Sequence, residues 1–184
     1  MFETLLQKIA LCLEKYGLPY MVIGGQAVLL YGEPRLTRDI DITLGCDITR
    51  LPDLLNSVQE LSLTILPKDI ETFVKQTMVL PTIEEESGVR VDFIFSFTPY
   101  EAQAIERAKA IKIGEKTVKF ASVEDLIIHK IFAGRPRDLE DVKAILTKNP
   151  DTDVVYIETW LAKFDESLQE SRFLQTFRGL LKYL

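Results

Sequence analysis

The sequence has little of the chemistry that relies on imidazole or thiolate groups. It contains one histidine and two cysteines in 184 residues. Cys12 and Cys46 follow neither a C-x-x-C motif nor the Cys/His spacing of a zinc site, and His129 lies inside the apolar run LIIHKIF. We therefore expect two buried free thiols in a reducing cytoplasm, and a packed histidine rather than a catalytic base.

Long hydrophobic runs are also absent. No apolar stretch approaches the roughly 20 residues that a bilayer span needs, and the N-terminal segment MFETLLQKIALCLEKYG carries charges within its apolar pattern. This pattern predicts an amphipathic helix rather than a signal peptide, and a cytoplasmic protein without a membrane partner. The formal net charge of −6 argues against non-specific coating of nucleic acid.

Periodicity and turn signals predict an α+β fold, with a small mixed β-sheet flanked by helices and followed by a C-terminal helical part. Glycine, proline and capping residues delimit the elements. We predict one strand at 20–23, a second within RLTRDIDITL that ends near Gly45, and hairpins that turn at Ser87–Gly88 and Gly114–Glu115. The predicted helices are 2–16, 25–31, 49–63, 99–110, 122–134 and 136–149. Two amphipathic stretches, VVYIETWLAKFDE and ESRFLQTFRGLLKYL, complete the chain. Residues 69–75 are compatible with a short helix or an irregular connection. The predicted domains are 1–121 and 122–184.

Three carboxylates fall on predicted strands. Asp39 and Asp41 alternate with Ile40 and Ile42 in DIDITL, so both acids lie on one face of a strand while both isoleucines enter the core. Asp92 lies on the polar face of VRVDFIF, opposite the valines and phenylalanines. Clustered carboxylates need a counter-charge, and Mg²⁺ or Mn²⁺ with its preference for oxygen ligands is the usual solution. We predict Asp39, Asp41 and Asp92 as catalytic residues and metal ligands.

A Gly-Gly turn precedes the acidic strand. Gly24 and Gly25 follow a short apolar strand and open a predicted helix, where a backbone without side chains can approach a phosphate group. Gln26 adds an amide to this predicted phosphate cradle, and Arg38 lies next to the acidic strand. We expect these four residues to bind the phosphates of a nucleotide.

The order of these motifs carries a family resemblance. Ile23-Gly24-Gly25, then Asp39-Ile40-Asp41-Ile42, then Asp92 resemble the nucleotidyltransferase superfamily that includes DNA polymerase β and the small antibiotic-modifying nucleotidyltransferases. Within it the chain most resembles the AbiEii-type toxin nucleotidyltransferases. That likeness rests on GGQAVLLYG, on R-x-T-x-D-I-D, on Lys130 and on RPRDLEDV, where Arg137 replaces the lysine of the family's R-x-K-D-x-x-D block.

The resemblance implies a metal-dependent transfer of a nucleoside monophosphate from an NTP to an acceptor hydroxyl, with release of pyrophosphate. The acceptor would be RNA, tRNA or a small molecule. A toxin would also have a cognate antitoxin protein as partner. Lys130, Arg137 and Asp138 would then contact the triphosphate or the base. As an alternative, Asp138 stabilises the first turn of its helix and Asp141 lies on the same helix face.

Two other functions are compatible with parts of the sequence. A catalytically silent nucleotidyltransferase fold could act as a binding module for a protein or nucleic acid, although such a module needs neither the three carboxylates nor the Gly-Gly turn. A glycosyltransferase built on D-x-D would require a longer chain with more βαβ units than 184 residues hold. The enzyme hypothesis explains all the motifs together.

Overall fold

The chain forms a mixed β-sheet with helices around it. In the computed structural model, which describes residues 2–182, seven strands pair in the order β3-β4-β5-β2-β1-β7-β6. The β1–β7 and β2–β5 pairs are parallel and the other four pairs are antiparallel. The strands are β1 (Tyr20–Ile23), β2 (Asp39–Leu44), β3 (Thr64–Ile65), β4 (Val79–Glu84), β5 (Val89–Phe95), β6 (Lys109–Ile113) and β7 (Lys116–Phe120).

Helices account for most of the remaining described residues. They are α1 (Phe2–Lys15), α2 (Gly24–Tyr31), α3 (Leu51–Glu60), α4 (Ile70–Thr77), α5 (Pro99–Glu106), α6 (Val123–Ala133), α7 (Pro136–Lys148), α8 (Val154–Leu168) and α9 (Arg172–Leu181), with a 3₁₀ turn at Ile48–Arg50. None of these helices is long and apolar enough to cross a bilayer. The predicted fold class is confirmed.

The described residues divide into two compact units. The first comprises residues 2–26 and 36–121 and holds the whole sheet; the second comprises residues 27–35 and 122–182 and is helical. The segment 27–35, which contains most of α2, therefore belongs to the second unit although it lies far from it in sequence.

Alternation along β2 and β5 separates a core face from a more open face. Ile40 and Ile42 are fully buried, as are Val91 and Phe93, whereas the acidic residues between them are partly exposed. The sheet therefore presents its carboxylates on one face, as strand parity predicts. The two cysteines are buried and free, which also agrees with the prediction.

Several element boundaries differ from the prediction. The helix predicted at 99–110 ends at Glu106, because Lys109 and Ala110 pair with Phe120 and Lys119 in the β6–β7 hairpin. Residues 70–77 form a helix, whose first turn is capped by the Asp69 side chain accepting from the Thr72 amide at 3.2 Å. Strand β3 has no counterpart in the prediction. The last predicted helix extends to residue 184, and its final two residues lie outside the described part of the chain.

A buried carboxylate connects the last two helices of the second unit. Asp165 on α8 accepts hydrogen bonds from the backbone amides of Phe173 and Leu174, both at 3.0 Å. These amides lie in the first turn of α9 and have no partner within that helix. Asp165 thus satisfies two helix-terminal donors from outside the helix, which fixes where α9 begins.

Replacing Asp165 by Ala should destabilise the second unit. The change leaves the buried Phe173 amide and the partly buried Leu174 amide without an acceptor. We expect a loss of about 1 to 3 kcal/mol in the free energy of unfolding. Urea denaturation followed by circular dichroism measures it. Glu166→Ala is the matched control, because Glu166 is the next residue on α8 and is exposed. Equal midpoints for the two variants would contradict this role of Asp165.

Candidate active site

Two of the predicted carboxylates are side by side in the sheet. β2 and β5 are parallel neighbours, and their register places Asp41 opposite Asp92 and Asp39 opposite Arg90. Residues paired in this way share a sheet face and have backbones about 4.8 Å apart. The structure therefore brings Asp39, Asp41 and Asp92 together on one face, although about fifty residues separate the strands in sequence.

Gly24 lies directly against Asp41. Its φ is +64°, and a Cβ atom built on its backbone would stand 1.9 Å from Oδ2 of Asp41. A side chain at this position would therefore collide with the carboxylate and would also strain the backbone. Glycine at position 24 thus allows the N-terminus of α2 to lie against the acidic strand.

The residues after Gly24 continue this contact between turn and strand. Gly25 and Gln26 form the first turn of α2, and both are buried. The Gln26 side-chain amide lies 3.4 Å from the Asp39 carbonyl oxygen, to which it donates a long hydrogen bond. Gln26 therefore also supports the acidic strand. Arg38 is exposed beside Asp39.

Hydrogen bonds from neighbouring side chains hold Asp92 and Asp39. The Arg90 guanidinium donates from Nε to Oδ1 of Asp92 at 2.8 Å, and the Thr37 hydroxyl donates to Oδ1 of Asp39 at 2.9 Å. The hydrogen bond to Asp92 raises the pKa of Arg90, and the charges of Asp92, Asp39 and Asp41 raise it further. Arg90 is thus the counter-charge of Asp92. Sequence reasoning assigned it no role, although two-residue spacing on one strand places both side chains on the same face.

The donor set suits a hard divalent cation. Within residues 2–182 no three histidine, cysteine or carboxylate side chains converge in a ready-made metal site. Mg²⁺ does not need such a site, because it is commonly held by one or two carboxylates together with substrate phosphates and water. Asp41 and Asp92, adjacent in register and with oxygen donors alone, meet that requirement.

A separate ionic cluster lies in the second unit. Lys130 on α6 is 5% exposed, and its ammonium group lies 2.7 Å from Asp138 and 2.9 Å from Asp141 on α7. Arg135 pairs with Asp138 at 2.6 Å, and Arg35 with Asp141 at 3.2 Å. Burial acts to raise the pKa of Asp138, but hydrogen bonds from Arg135 and Lys130 lower it, and the net result is a lowered pKa.

This cluster bears on three predicted nucleotide-binding residues. Lys130 and Asp138 are bound to each other, so the Lys130 charge is already compensated within the second unit. Arg137 is exposed. Arg135 was not predicted as a site residue, yet it carries the second ion pair to Asp138, and its i,i+3 spacing on a helix start is the signal that indicates such a pair.

A family comparison agrees with the geometry. The family described as "Nucleotidyltransferase of unknown function (DUF6036)" matches residues 2–178. The chain belongs to this family. No curated protein matches it in sequence. Membership supports the nucleotidyltransferase interpretation and leaves the acceptor open.

Several solved structures have a similar fold. The antibiotic-resistance factor ANT(2″)-Ia, in complex with adenylyl-2″-tobramycin, is 20% identical with a TM-score of 0.61, over 90% of this chain and 98% of that one. An antigenic nucleotidyltransferase-like protein from Paracoccidioides brasiliensis is 17% identical with a TM-score of 0.56, over 90% and 87%. JHP933 from Helicobacter pylori is 18% identical with a TM-score of 0.53, over 99% and 79%. At these identities the likeness concerns the fold alone.

Gly24→Ala should be more destabilising than an alanine at another glycine of positive φ. Gly17 provides the matched control, because its φ is +60° and nothing lies within 4 Å of the position that a Cβ atom would take there. We expect Gly17→Ala to cost about 1 kcal/mol from backbone strain, and Gly24→Ala about 2 kcal/mol more because Asp41 must move. Urea denaturation measures both. Equal losses of unfolding free energy in the two variants would contradict the close contact between Gly24 and Asp41.

Lys130→Gln should destabilise the second unit strongly, because it leaves Asp138 and Asp141 buried with less positive charge. We expect a loss of about 3 to 5 kcal/mol, against less than about 0.5 kcal/mol for the exposed control Arg137→Gln. The measurement is urea denaturation at several pH values.

The pH dependence of that experiment has a defined sign. A lowered pKa of Asp138 in the folded state stabilises the protein above the pKa of the unfolded chain, and the contribution disappears as pH falls through the folded-state pKa. In Lys130→Gln this loss of stability on acidification should begin at a higher pH, because Lys130 no longer lowers the pKa of Asp138. A variant as stable as the wild type, with the same acid profile, would contradict the buried cluster.

Proposed function

We propose that this protein transfers a nucleoside monophosphate from an NTP to an acceptor hydroxyl, with release of pyrophosphate, in a reaction that depends on Mg²⁺ or Mn²⁺. The observation that carries the proposal is the pairing of Asp41 with Asp92 on parallel neighbouring strands, with Gly24 in contact with Asp41. A metal-binding pair and a phosphate-binding turn are thereby adjacent within one unit.

The turn at the start of α2 is the proposed binding site for the triphosphate. Backbone amides in the first turn of a helix have no partner within the helix, and the helix dipole favours an anion there. Gly24 and Gly25 place no side chain between these amides and a phosphate. Gln26 supports the turn through the Asp39 carbonyl, and Arg38 supplies a positive charge at the exposed rim.

The carboxylates have the complementary task. A bound divalent cation supplies charge compensation for the carboxylates and phosphates and lowers the pKa of the acceptor hydroxyl. Asp41 and Asp92 would hold it, with Asp39 as a third ligand. For Asp92 to do so, its Oδ1 must exchange the hydrogen bond from Arg90 for the cation.

The proposed acceptor class is RNA, including tRNA, or a small molecule. The AbiEii-type resemblance favours RNA and a role as a toxin, neutralised by a cognate antitoxin protein. It rests on the Gly-Gly turn, the D-I-D strand, Lys130 and the RPRDLEDV block. Lys130 pairs with two buried acids of this block, Asp138 and Asp141. We therefore propose that Lys130 and Asp138 act by holding α6 on α7, and that exposed Arg137 is available to a ligand.

One observation favours a second candidate. Arg90 pairs with Asp92, and no three metal-binding side chains converge among the described residues. A catalytically silent fold that binds a protein or nucleic acid would retain such an internal ion pair permanently. The enzyme must break it. Metal and nucleotide binding therefore discriminate between the two candidates.

Asp41→Asn should abolish nucleotide transfer while preserving the fold. The amide removes the negative charge that a cation requires and keeps nearly the same volume beside Gly24. Isothermal titration with each NTP in the presence of Mg²⁺ measures binding, and incubation with labelled NTPs and total RNA measures transfer. We expect the wild type to transfer the labelled nucleotide, and the rate of transfer to be at least about a hundredfold lower in the variant.

Asp53→Asn is the matched control, because Asp53 is a surface carboxylate that pairs with Arg50 on the first unit. It should transfer as the wild type does. Absence of NTP binding in folded wild-type protein would eliminate the enzyme proposal and leave the binding module. An active Asp41→Asn protein would show that the metal site lies elsewhere.

A further inference from the structure

A pocket of about 510 Å³ lies beside Asp92 within the first unit. The connection between β3 and α4, one side of α4, and strands β4 and β5 form its walls. The residues that matter for its chemistry are Lys68, Asp69, Phe73, Gln76, Pro81 and Arg90. The functions proposed above do not use this pocket.

Sheet register places the pocket next to the carboxylates. Pro81 on β4 is opposite Asp92 on β5, and Asp92 is opposite Asp41 on β2, so these three residues share a sheet face. Arg90 lies two residues before Asp92 on the same face and also lines the pocket. In the direction from β1 to β4, the order across the sheet is therefore Gly24, Asp41, Asp92 and the pocket.

This order matches the geometry of phosphoryl transfer. In such a reaction the attacking and the leaving oxygen lie on opposite sides of the phosphorus atom. If pyrophosphate leaves toward the turn at Gly24, the acceptor must approach from the side of Asp92, where the pocket lies. We propose that this pocket binds the acceptor, and that the acceptor is the 3′ end of a single-stranded nucleic acid; the proposal rests on the proposed transfer reaction.

The charge of the pocket selects this acceptor class. Lys68 is exposed and forms no ion pair within residues 2–182. Arg90 adds a second cation, which in this structure pairs with Asp92. The single carboxylate in the wall, Asp69, accepts from the Thr72 amide at the start of α4. A polycationic aminoglycoside needs several free carboxylates, whereas a polynucleotide needs cations for its phosphates. The pocket therefore fits an anion, although the whole chain has a net charge of −6.

The apolar content of the pocket also suits a nucleotide. Phe73 is 37% exposed, which is a large exposure for a phenylalanine, and it lines the pocket together with Pro81. An exposed ring of this kind offers a surface on which a base can stack irrespective of its sequence. Gln76 adds an amide that can donate to and accept from a base edge.

Arg90 connects the pocket with the metal site. Its Nε donates to Asp92 at 2.8 Å, while its side chain is 54% exposed and lines the pocket. A phosphate in the pocket competes with Asp92 for this guanidinium. Acceptor binding would therefore free Oδ1 of Asp92 from its hydrogen bond with Arg90.

The reaction balances without any other reactant. The terminal 3′ oxygen forms a bond to the α-phosphorus of the NTP, and the bond between that phosphorus and the bridging oxygen of pyrophosphate breaks. The hydroxyl proton leaves to solvent. The nucleic acid is extended by one nucleotide, and pyrophosphate carries away the electron pair of the broken bond.

Binding of short single strands tests the proposal without requiring turnover. The probes are a 5′-fluorescein-labelled RNA oligonucleotide and the DNA of the same sequence, each with a free 3′ hydroxyl, titrated with protein in Mg²⁺ and followed by fluorescence anisotropy. We expect Phe73→Ala to weaken binding about tenfold. Lys68→Ala should also weaken it and reduce the slope of log K against log salt by about 0.7.

Two substitutions outside the pocket serve as matched controls. Phe97 is a more exposed phenylalanine, at 68%, and Lys75 is an α4 lysine that pairs with Glu71. Phe97→Ala and Lys75→Ala should bind as the wild type does. Calorimetric titration of each variant with NTP and Mg²⁺ should give unchanged NTP affinity, because the turn at Gly24 is untouched.

The outcomes separate this proposal from the proposed function. Absence of NTP binding in the wild type would overturn the function itself. Normal NTP binding, with single strands that fail to bind or bind equally to all variants, would overturn the acceptor pocket alone. Tobramycin binding that Phe73→Ala weakens would assign the pocket to a cationic acceptor instead and would also overturn the proposal.

Discussion

The repulsion between carboxylates on neighbouring strands is the constraint on which the rest of this structure depends. Asp41 and Asp92 are paired in parallel strands, and Asp39 lies two residues from Asp41 on the same face. In such a place negative charges need nearby cations or donors. Arg90 provides a cation for Asp92 and Thr37 a donor for Asp39. The absence of a side chain at Gly24 leaves room for the Asp41 carboxylate. In the proposed function a cation would replace these contacts on the acidic face.

The second unit resolves the same electrostatic problem in a permanent way. Asp138 and Asp141 are almost fully buried and are bound by Lys130, which is 5% exposed, with Arg135 and Arg35 completing the cluster. Separating these charges would leave buried carboxylates without a partner, which is unfavourable. The cluster therefore holds α6, α7 and the segment 27–35 in one arrangement. The two acidic groups thus differ in accessibility more than in composition. The exposed one suits exchange with a ligand, and the buried one suits rigidity.

Sequence patterns were sufficient where a local rule decides the structure. Strand parity predicted that Asp39, Asp41 and Asp92 lie on polar strand faces, and the β2–β5 register places them on one face. Other features depend on contacts distant in sequence. The end of α5 at Glu106 follows from the pairing of Lys109 with Phe120, and the assignment of residues 27–35 to the second unit involves Arg35 and Asp141. The periodicity of apolar residues along the sequence does not reveal contacts of this kind. The spacing of Arg90 and Asp92 on one strand was a local signal for their ion pair, but spacing alone does not distinguish a paired arginine from a solvated one.

Acceptor choice is the property that a shared fold leaves undetermined. ANT(2″)-Ia has a similar fold and was solved with adenylyl-2″-tobramycin, yet at 20% identity the fold is all that the likeness to this chain shows. In this chain the wall beyond Asp92 is built by the β3–α4 connection, which carries Lys68 and leads to Phe73. Such a connection can change its length and charge without disturbing the strands that hold the carboxylates, because it lies at the edge of the sheet. In the proposed function the central strands therefore determine the reaction, and the edge of the sheet determines the acceptor. A chain of net negative charge can accordingly receive an anionic acceptor, provided that its cations are placed at that edge.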